Sequence, residues 1–274
     1  MPSARAIAHV TDAHLGQRLV FGGAVTASNK MGYENEPTEH RENLRRVFDD
    51  IAARGVSEVV FGGDIGKPES NGWFFDLVRR YGFQLQLLLG NHDTLVEVGR
   101  HYHGAGMVDG GKELICARED ADLKYIFMDS SANAISDDQF GWLRRELDVR
   151  KKVLLFVHHP ILPIDTPVDR TPAALKDRDR LGVLLRKARG EVVVFCGHYH
   201  MEDEVARGNV RQFCTPAVSY QIVKAGVDVA VDASRFGYRL IETCGTQVAT
   251  RVVLFDQDNL PGGGGRRDKA LRHP

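Results

Sequence analysis

Four cysteines, two tryptophans and a formal net charge of −1 are what this 274-residue sequence has little of. Cys116, Cys196, Cys214 and Cys244 show no close pairing and sit among strand-like neighbours, so buried free thiols in a reducing compartment are expected rather than a disulfide scaffold. The longest apolar runs, Val153 to Val157 and Val192 to Cys196, are five residues, far short of the ~20 that span a bilayer. Met1 to His9 lack the continuous apolar stretch of a secretory leader, so a cytoplasmic location without membrane contact is expected. Lys and Arg number 36 against 37 Asp and Glu, a balance that argues against a nucleic-acid coat or an anionic-membrane binder.

What is present is an ordinary globular composition, 43% hydrophobic and 27% charged, long enough to bury a large core without a structural metal. Short apolar runs alternate with helical patterns over the first two hundred residues, which points to an α/β sheet. Strands are expected at Ala6 to Val10, Ser57 to Phe61, Leu85 to Leu89, Lys124 to Met128, Val153 to Val157 and Val192 to Cys196. Helices are expected at Asn43 to Ala53, Trp73 to Tyr81, from Ser136 (a capping box with Gln139) to Leu147, and at Ala174 to Ala188. Beyond His200 the pattern turns to consecutive short strands, read as antiparallel and as a possible second sheet. One domain over 1–258 is expected, with a Gly-rich basic tail at 259–274 read as disordered.

Eleven histidines are the unusual feature, and six fall in an ordered series of five motifs. Asp12-Ala-His14, Gly63-Asp64, Gly90-Asn91-His92-Asp93, His158-His159-Pro160 and Gly197-His198-Tyr199-His200 each follow a predicted strand. In open α/β sheets the carboxyl ends of strands open into a shared crevice, so groups from position 12 to position 200 can meet there. An Asp-x-His triplet alone means nothing, whereas Gly-Asn-His-Asp is expected by chance only about 0.003 times in a chain of this composition. Taken singly, His14 and Asp64 read as ordinary turn residues and His159 as a core histidine; taken together, Asp12, His14, Asp64, Asn91, His159, His198 and His200 offer mixed oxygen and nitrogen donors without thiolate. That set suits Mn, Fe or Zn and exceeds what one ion with open positions can use.

These five motifs resemble those of the calcineurin-like metallophosphoesterase superfamily. Asp12-Ala-His14-Leu15-Gly16 and the Gln139-Phe140-Gly141-Trp142-Leu143 helix are most similar to its cyclic-nucleotide phosphodiesterase-like (class III) branch. The resemblance implies a four-layer αββα sandwich, two mixed sheets flanked by helices. It also implies two metal ions, one held by Asp12, His14 and His200, the other by Asn91, His159 and His198, with Asp64 bridging. The implied reaction is in-line attack of a metal-bridging hydroxide on phosphorus, with His92 assisting the leaving oxygen and Asp93 orienting His92.

Other features carry less. Gly62 to Lys67 falls one residue short of a nucleotide-binding loop, and Pro68 stands where Ser or Thr is needed. His101 and His103 follow a polar stretch and read as surface loop, His9 reads as structural, and His158 is expected to point away from the metals. The polar segment 17–37, with Phe21, Asn29, Lys30, Tyr33 and Glu34, and the stretch 164–172, with Asp165, Asp169 and Arg170, are candidate substrate rims. The leading function is a phosphodiesterase acting on a small phosphoester. A phosphomonoesterase, gripping a dianion through Lys30, Lys67 or Arg170, and a non-catalytic scaffold are the alternatives. A dimer is the expectation for the assembly, with no motif behind it.

Overall fold

The computed structural model describes residues 4–20, 32–35, 39–106 and 111–257. In chain order the elements are β1 (Ala4–Val10), β2 (Gln17–Val20), β3 (Gly32–Asn35), α1 (Glu39–Ala53), β4 (Glu58–Phe61), α2 (Asn71–Tyr81), β5 (Gln84–Leu87), α3 (Leu95–Val98), β6 (Cys116–Glu119), β7 (Leu123–Phe127), α4 (Asp137–Glu146) and β8 (Lys152–Phe156). They continue with α5 (Arg178–Arg186), β9 (Val192–Cys196), β10 (Asp203–Arg207), β11 (Val210–Cys214), β12 (Gln221–Ile222), β13 (Val231–Asp232), β14 (Arg235–Cys244) and β15 (Gln247–Asp256).

Two mixed sheets carry the architecture, in the orders β15-β14-β1-β4-β5 and β10-β11-β9-β8-β7-β6. Strands β1, β4 and β5 run parallel, as do β7, β8, β9 and β11, so the loops after them gather at the carboxyl ends of the sheets. Between the sheets lies a dry layer that includes Ile7, Val60, Leu88 and Ile241. Across the second sheet the rings of Phe127, Phe156, Phe195 and Phe213 stack in sequence with centroids 5.2, 5.2 and 5.6 Å apart. Helices α1 and α2 cover the outer face of the first sheet, and α4 and α5 that of the second. The buried face of α1 is the apolar stripe Leu44, Val47, Phe48 and Ile51. Ser136 caps α4 as expected, its hydroxyl accepting from Gln139 N at 3.0 Å.

The strands after His200 do not make one second sheet, and β12 and β13 pair only with each other. β10 and β11 extend the second sheet, whereas the hairpin β14–β15 crosses to the first and pairs antiparallel with β1. Period-two patterning reveals a strand but not which free sheet edge accepts it. α5 is also shorter than the 174–188 pattern suggests, because residues 171 to 174 turn on themselves: Thr171 N and Ala174 N donate to Val168 O and Thr171 O. The 259–274 tail and residues 21–31 of the polar segment lie outside the described residues.

One buried polar side chain fixes the loop that follows the fourth motif. Gln212, 1% exposed in β11, accepts from Ile161 N and Leu162 N at 2.8 and 2.7 Å and donates to Leu162 O at 2.9 Å. Gln212→Leu strands three backbone groups in the apolar layer beneath α4 and α5. It is expected to lower unfolding free energy by on the order of 3 kcal/mol in urea titrations, since each orphaned buried group costs about 1–3 kcal/mol.

Candidate metal centre

The loops that end β1, β4 and β9 carry their polar residues on unusual backbone. Among the described residues, six non-glycine residues have positive φ, and five of them are Asp12 (57°), His14 (43°), Asp64 (57°), His198 (64°) and His200 (47°). Asp and His are among the few L residues that tolerate this region, at about 1–3 kcal/mol each. Left-handed residues reverse the chain within a step or two, which lets both members of Asp12-x-His14 and of His198-x-His200 face one pocket. Close approach needs glycines as well. A Cβ on Gly197 would run into Thr11 and Asp12, and one on Gly90 into the Asp64 carboxylate.

The loops are then laced together. Asp12 N donates to Gly63 O at 3.0 Å and His14 N to Asp64 O at 3.1 Å. His198 N donates to Asp12 Oδ2 at 3.0 Å, Thr11 Oγ1 to the same oxygen at 2.6 Å, and His92 N to Asp64 Oδ1 at 2.8 Å. Asp93 joins the second and third motifs, its carboxylate accepting from Asp64 N, Ile65 N and Gly90 N at 2.7, 3.0 and 2.9 Å. Burial and the neighbouring Asp64 charge raise Asp93 to about 7.

Four clusters result among the described residues, the fourth being Asp12, Asp64 and His158, which links the others. Asp12, His14 and His200 form one, with His200 Nε2 3.3 Å from Asp12 Oδ1 and 3.1 Å from His14 Nε2. His158, His159 and His198 form a second, the His159 and His198 rings 4.1 Å apart. Asp64 lies between them, Oδ2 being 3.5 Å from His14 Nε2 and 3.3 Å from His158 Nε2. His14, Asp64 and His92 form the third, with the half-buried His92 ring edge-on to His14 at 4.9 Å. Asn91 is exposed on the turn beside His92.

Each cluster imidazole from the first, fourth and fifth motifs has one ring nitrogen engaged by the protein. His200 Nδ1 faces Tyr220 O at 2.9 Å, His158 Nδ1 faces Gly62 O at 2.8 Å, and His198 Nε2 faces Ala173 O at 2.9 Å. His159 Nδ1 lies 2.8 Å from Ser130 Oγ and His14 Nδ1 3.3 Å from Gln17 Oε1. For His14, His159, His198 and His200, a partner on one nitrogen places the proton there and leaves a lone pair on the other, which is how proteins prepare histidine as a metal ligand.

Electrostatics agree with that preparation. Burial lowers His14 to about 3 and His198 to about 4, and it holds His159 well below its ordinary value, so these rings are neutral donors. Burial opposes ionisation of Asp12 and Asp64 too, but His200 and His158 facing Asp12, and His158 facing Asp64, hold both carboxyls below the usual range. The residues therefore fit a pair of cations: two buried carboxylates and converging imidazole lone pairs, with no thiolate among them.

His158 departs from expectation. It does not point away; its Nε2 lies between Asp64 and, at 4.0 Å, Asp12, and the two carboxylates raise it to about 10 against the opposing effect of burial. Because β8 stops at Phe156, the two-residue alternation that would send one member of the tandem outward no longer applies. His101 stacks on Phe75 outside the clusters, and His103 is exposed. His9 is buried against Phe156 and Phe195, with Nδ1 on Thr215 Oγ1.

The chain is similar to known proteins in sequence and in fold. The model of the calcineurin-like phosphoesterase superfamily domain matches residues 6–217. A probable cyclic nucleotide phosphodiesterase of Fibrobacter succinogenes is 24% identical over 255 residues, covering 90% of this chain and 93% of that protein. A probable glycerophosphodiester phosphodiesterase of Arcobacter nitrofigilis is 27% identical over 185 residues, covering 64% and 67%. In fold the chain is similar to a dimetal phosphatase from Danio rerio (TM-score 0.61, 13% identity, 92% of this chain and 99% of that one). It is similar as well to GAP50, the anchor in the inner membrane complex of Plasmodium (TM-score 0.60, 13% identity, 93% and 85%).

Asp64 is the carboxylate common to both sides of the pocket. Asp64→Asn is expected to cost the protein one or both ions after equilibration with Mn and dialysis, read by elemental analysis; unchanged metal content contradicts a shared position for this side chain.

Proposed function

Because the chain belongs to the calcineurin-like phosphoesterase superfamily and is a metal-dependent phosphoric ester hydrolase, we propose that it is a phosphodiesterase acting on a small phosphodiester. The observation that carries the reading is the pocket itself, two donor clusters joined at Asp64 with the far nitrogen of each imidazole already engaged. One ion is assigned to Asp12, His14 and His200, the other to Asn91, His159 and His198, with Asp64 between them and His158 against both carboxylates. Mn, Fe and Zn all suit these donors. Bound there, two divalent ions supply Lewis acidity toward water and toward the phosphoryl oxygens. Residues 1–258 are taken as one catalytic domain.

This chain's own groups do the rest. Water attacks phosphorus in line with the leaving oxygen and gives up a proton to solvent; one P–O bond forms as the other breaks, and His92 delivers a proton to the departing alkoxide. His92 suits the task because it is only half-buried and stands over the His14 side of the pocket, where a leaving group can reach it. Asp93 supports His92 through the backbone, by binding the 64–65 loop to Gly90. Asp12 and Asp64 together offset half of the charge of two divalent ions, and the remaining positive potential attracts a phosphate ester.

Preference for a diester rests on the cations. A monoester dianion calls for a further positive group. Arg170 is exposed and tied to Asp165 at 2.8 Å, and Lys67 is bonded to the Asn35 side chain. Lys30 lies outside the described residues.

Two measurements test the reading. With Mn, bis-p-nitrophenyl phosphate is expected to be hydrolysed faster than p-nitrophenyl phosphate; the reverse order selects a phosphomonoesterase. His92→Ala is expected to keep both ions by elemental analysis and lose ~10²–10⁴-fold in kcat, the range for a general acid; a rate close to wild type removes His92 from the mechanism for that substrate.

A further inference from the structure

The stretch 164–172 reads in sequence as a substrate rim, with Asp169 among its polar residues, yet the Asp169 side chain is turned to the fifth motif. Its Oδ1 accepts from Tyr199 Oη at 2.7 Å and from Arg178 Nη1 at 2.6 Å. Tyr199 lies between His198 and His200 and is fully buried. With left-handed backbone at both neighbours, its ring goes beneath the turn while theirs go into the pocket. A short path leads from Asp169 back to the pocket. Thr171 N and Oγ1 both bond Val168 O, Ala173 N donates to Thr171 Oγ1, and Asn133 Nδ2 donates to Pro172 O. At the end of that path Ala173 O faces His198 Nε2 at 2.9 Å.

The loop and the motif therefore meet at two points, Asp169 on Tyr199 and Ala173 on His198. One hydrogen bond leaves two segments free to pivot about it; two separated bonds fix their relative rotation. We propose that Asp169 is a positioning residue: through Tyr199 and the 168–173 turns it holds the Ala173 carbonyl on His198, and so keeps His198 in the Nε2–H tautomer, which leaves the Nδ1 lone pair for the cluster with His158 and His159. Asp169 touches no substrate in this role. The consequence for metal binding rests on the metal reading above; the tautomer does not.

Three variants, Tyr199→Phe, Asp169→Ala and Asp169→Asn, separate the possibilities. Tyr199→Phe removes one oxygen from a buried ring, so it stays informative where Asp169→Ala fails to fold. In metal-free protein, long-range ¹⁵N–¹H spectra of the imidazoles are expected to show His198 as the Nε2–H form in wild type and as a tautomer mixture in Tyr199→Phe and Asp169→Ala. Asp169→Asn keeps an acceptor oxygen and is expected to restore the wild-type form. In Mn titrations by calorimetry, one of two binding constants is expected to fall about 10–100-fold in the first two variants, the usual effect of losing such outer support, with the other unchanged. A wild-type His198 tautomer in both variants overturns the proposal, as does an equal fall in both constants with a lower melting temperature. A wild type that binds no Mn fails the metal reading instead, and the spectra still decide the clamp.

Discussion

Asp12 and Asp64 are buried at 0% and 1% exposure, and everything at the carboxyl ends of the sheets is arranged around that fact. Taking a carboxylate out of water costs several kcal/mol unless cations and hydrogen bonds meet it. Here hydrogen bonds meet part of the need: Thr11 and His198 N serve Asp12, and His92 N serves Asp64. Protonated His158 meets another part, lying near both. The other imidazoles beside them, His14, His159 and His198, are pushed toward neutrality by the same burial. A pocket with two negative charges, one resident positive charge and several inward lone pairs is built for cations from outside the chain.

The backbone that builds this pocket is itself costly. Five left-handed residues at about 1–3 kcal/mol each represent a strain comparable with the whole net stability of an ordinary domain. Such strain persists only where the surroundings over-determine it, and the surroundings here are two mixed sheets with the Phe127 to Phe213 stack packed between them. The stiff interior and the strained rim are therefore one design: the first holds the second in place. Core substitutions that loosen the sheets act on the site through these loops, without touching it.

How much of this could be read from residues follows the same division. The strand-then-polar-cluster rhythm was legible because strands β1, β4, β8 and β9 are short apolar runs with the donors directly after them. The hydrogen-bonded side of His158, His198 and His200 was not legible, since Gly62 O, Ala173 O and Tyr220 O are backbone atoms that no residue type advertises. His158 was misjudged because the tandem falls past the last strand residue, where alternation stops. The β14–β15 hairpin was recognisable as strands, but its partner β1 is more than two hundred residues away, and only the free edge of the first sheet selects it. Asp169 had the opposite fault: a charged loop residue near a motif suggests substrate contact, and only the burial of Tyr199 reveals the true partner.

Fold alone does not separate catalysis from scaffolding, since the same architecture serves both a dimetal phosphatase and a membrane-complex anchor. The distinction lies in what the chain maintains at cost. A scaffold gains nothing from burying two carboxylates under neutral imidazoles, or from holding backbone in a left-handed conformation at ligand positions. It gains nothing either from a half-exposed His92 set over the His14 ring. The first two features oppose stability, and mutation would erase them wherever function did not require them. Their joint presence is the physical argument for turnover, and it would stand if every relative were set aside.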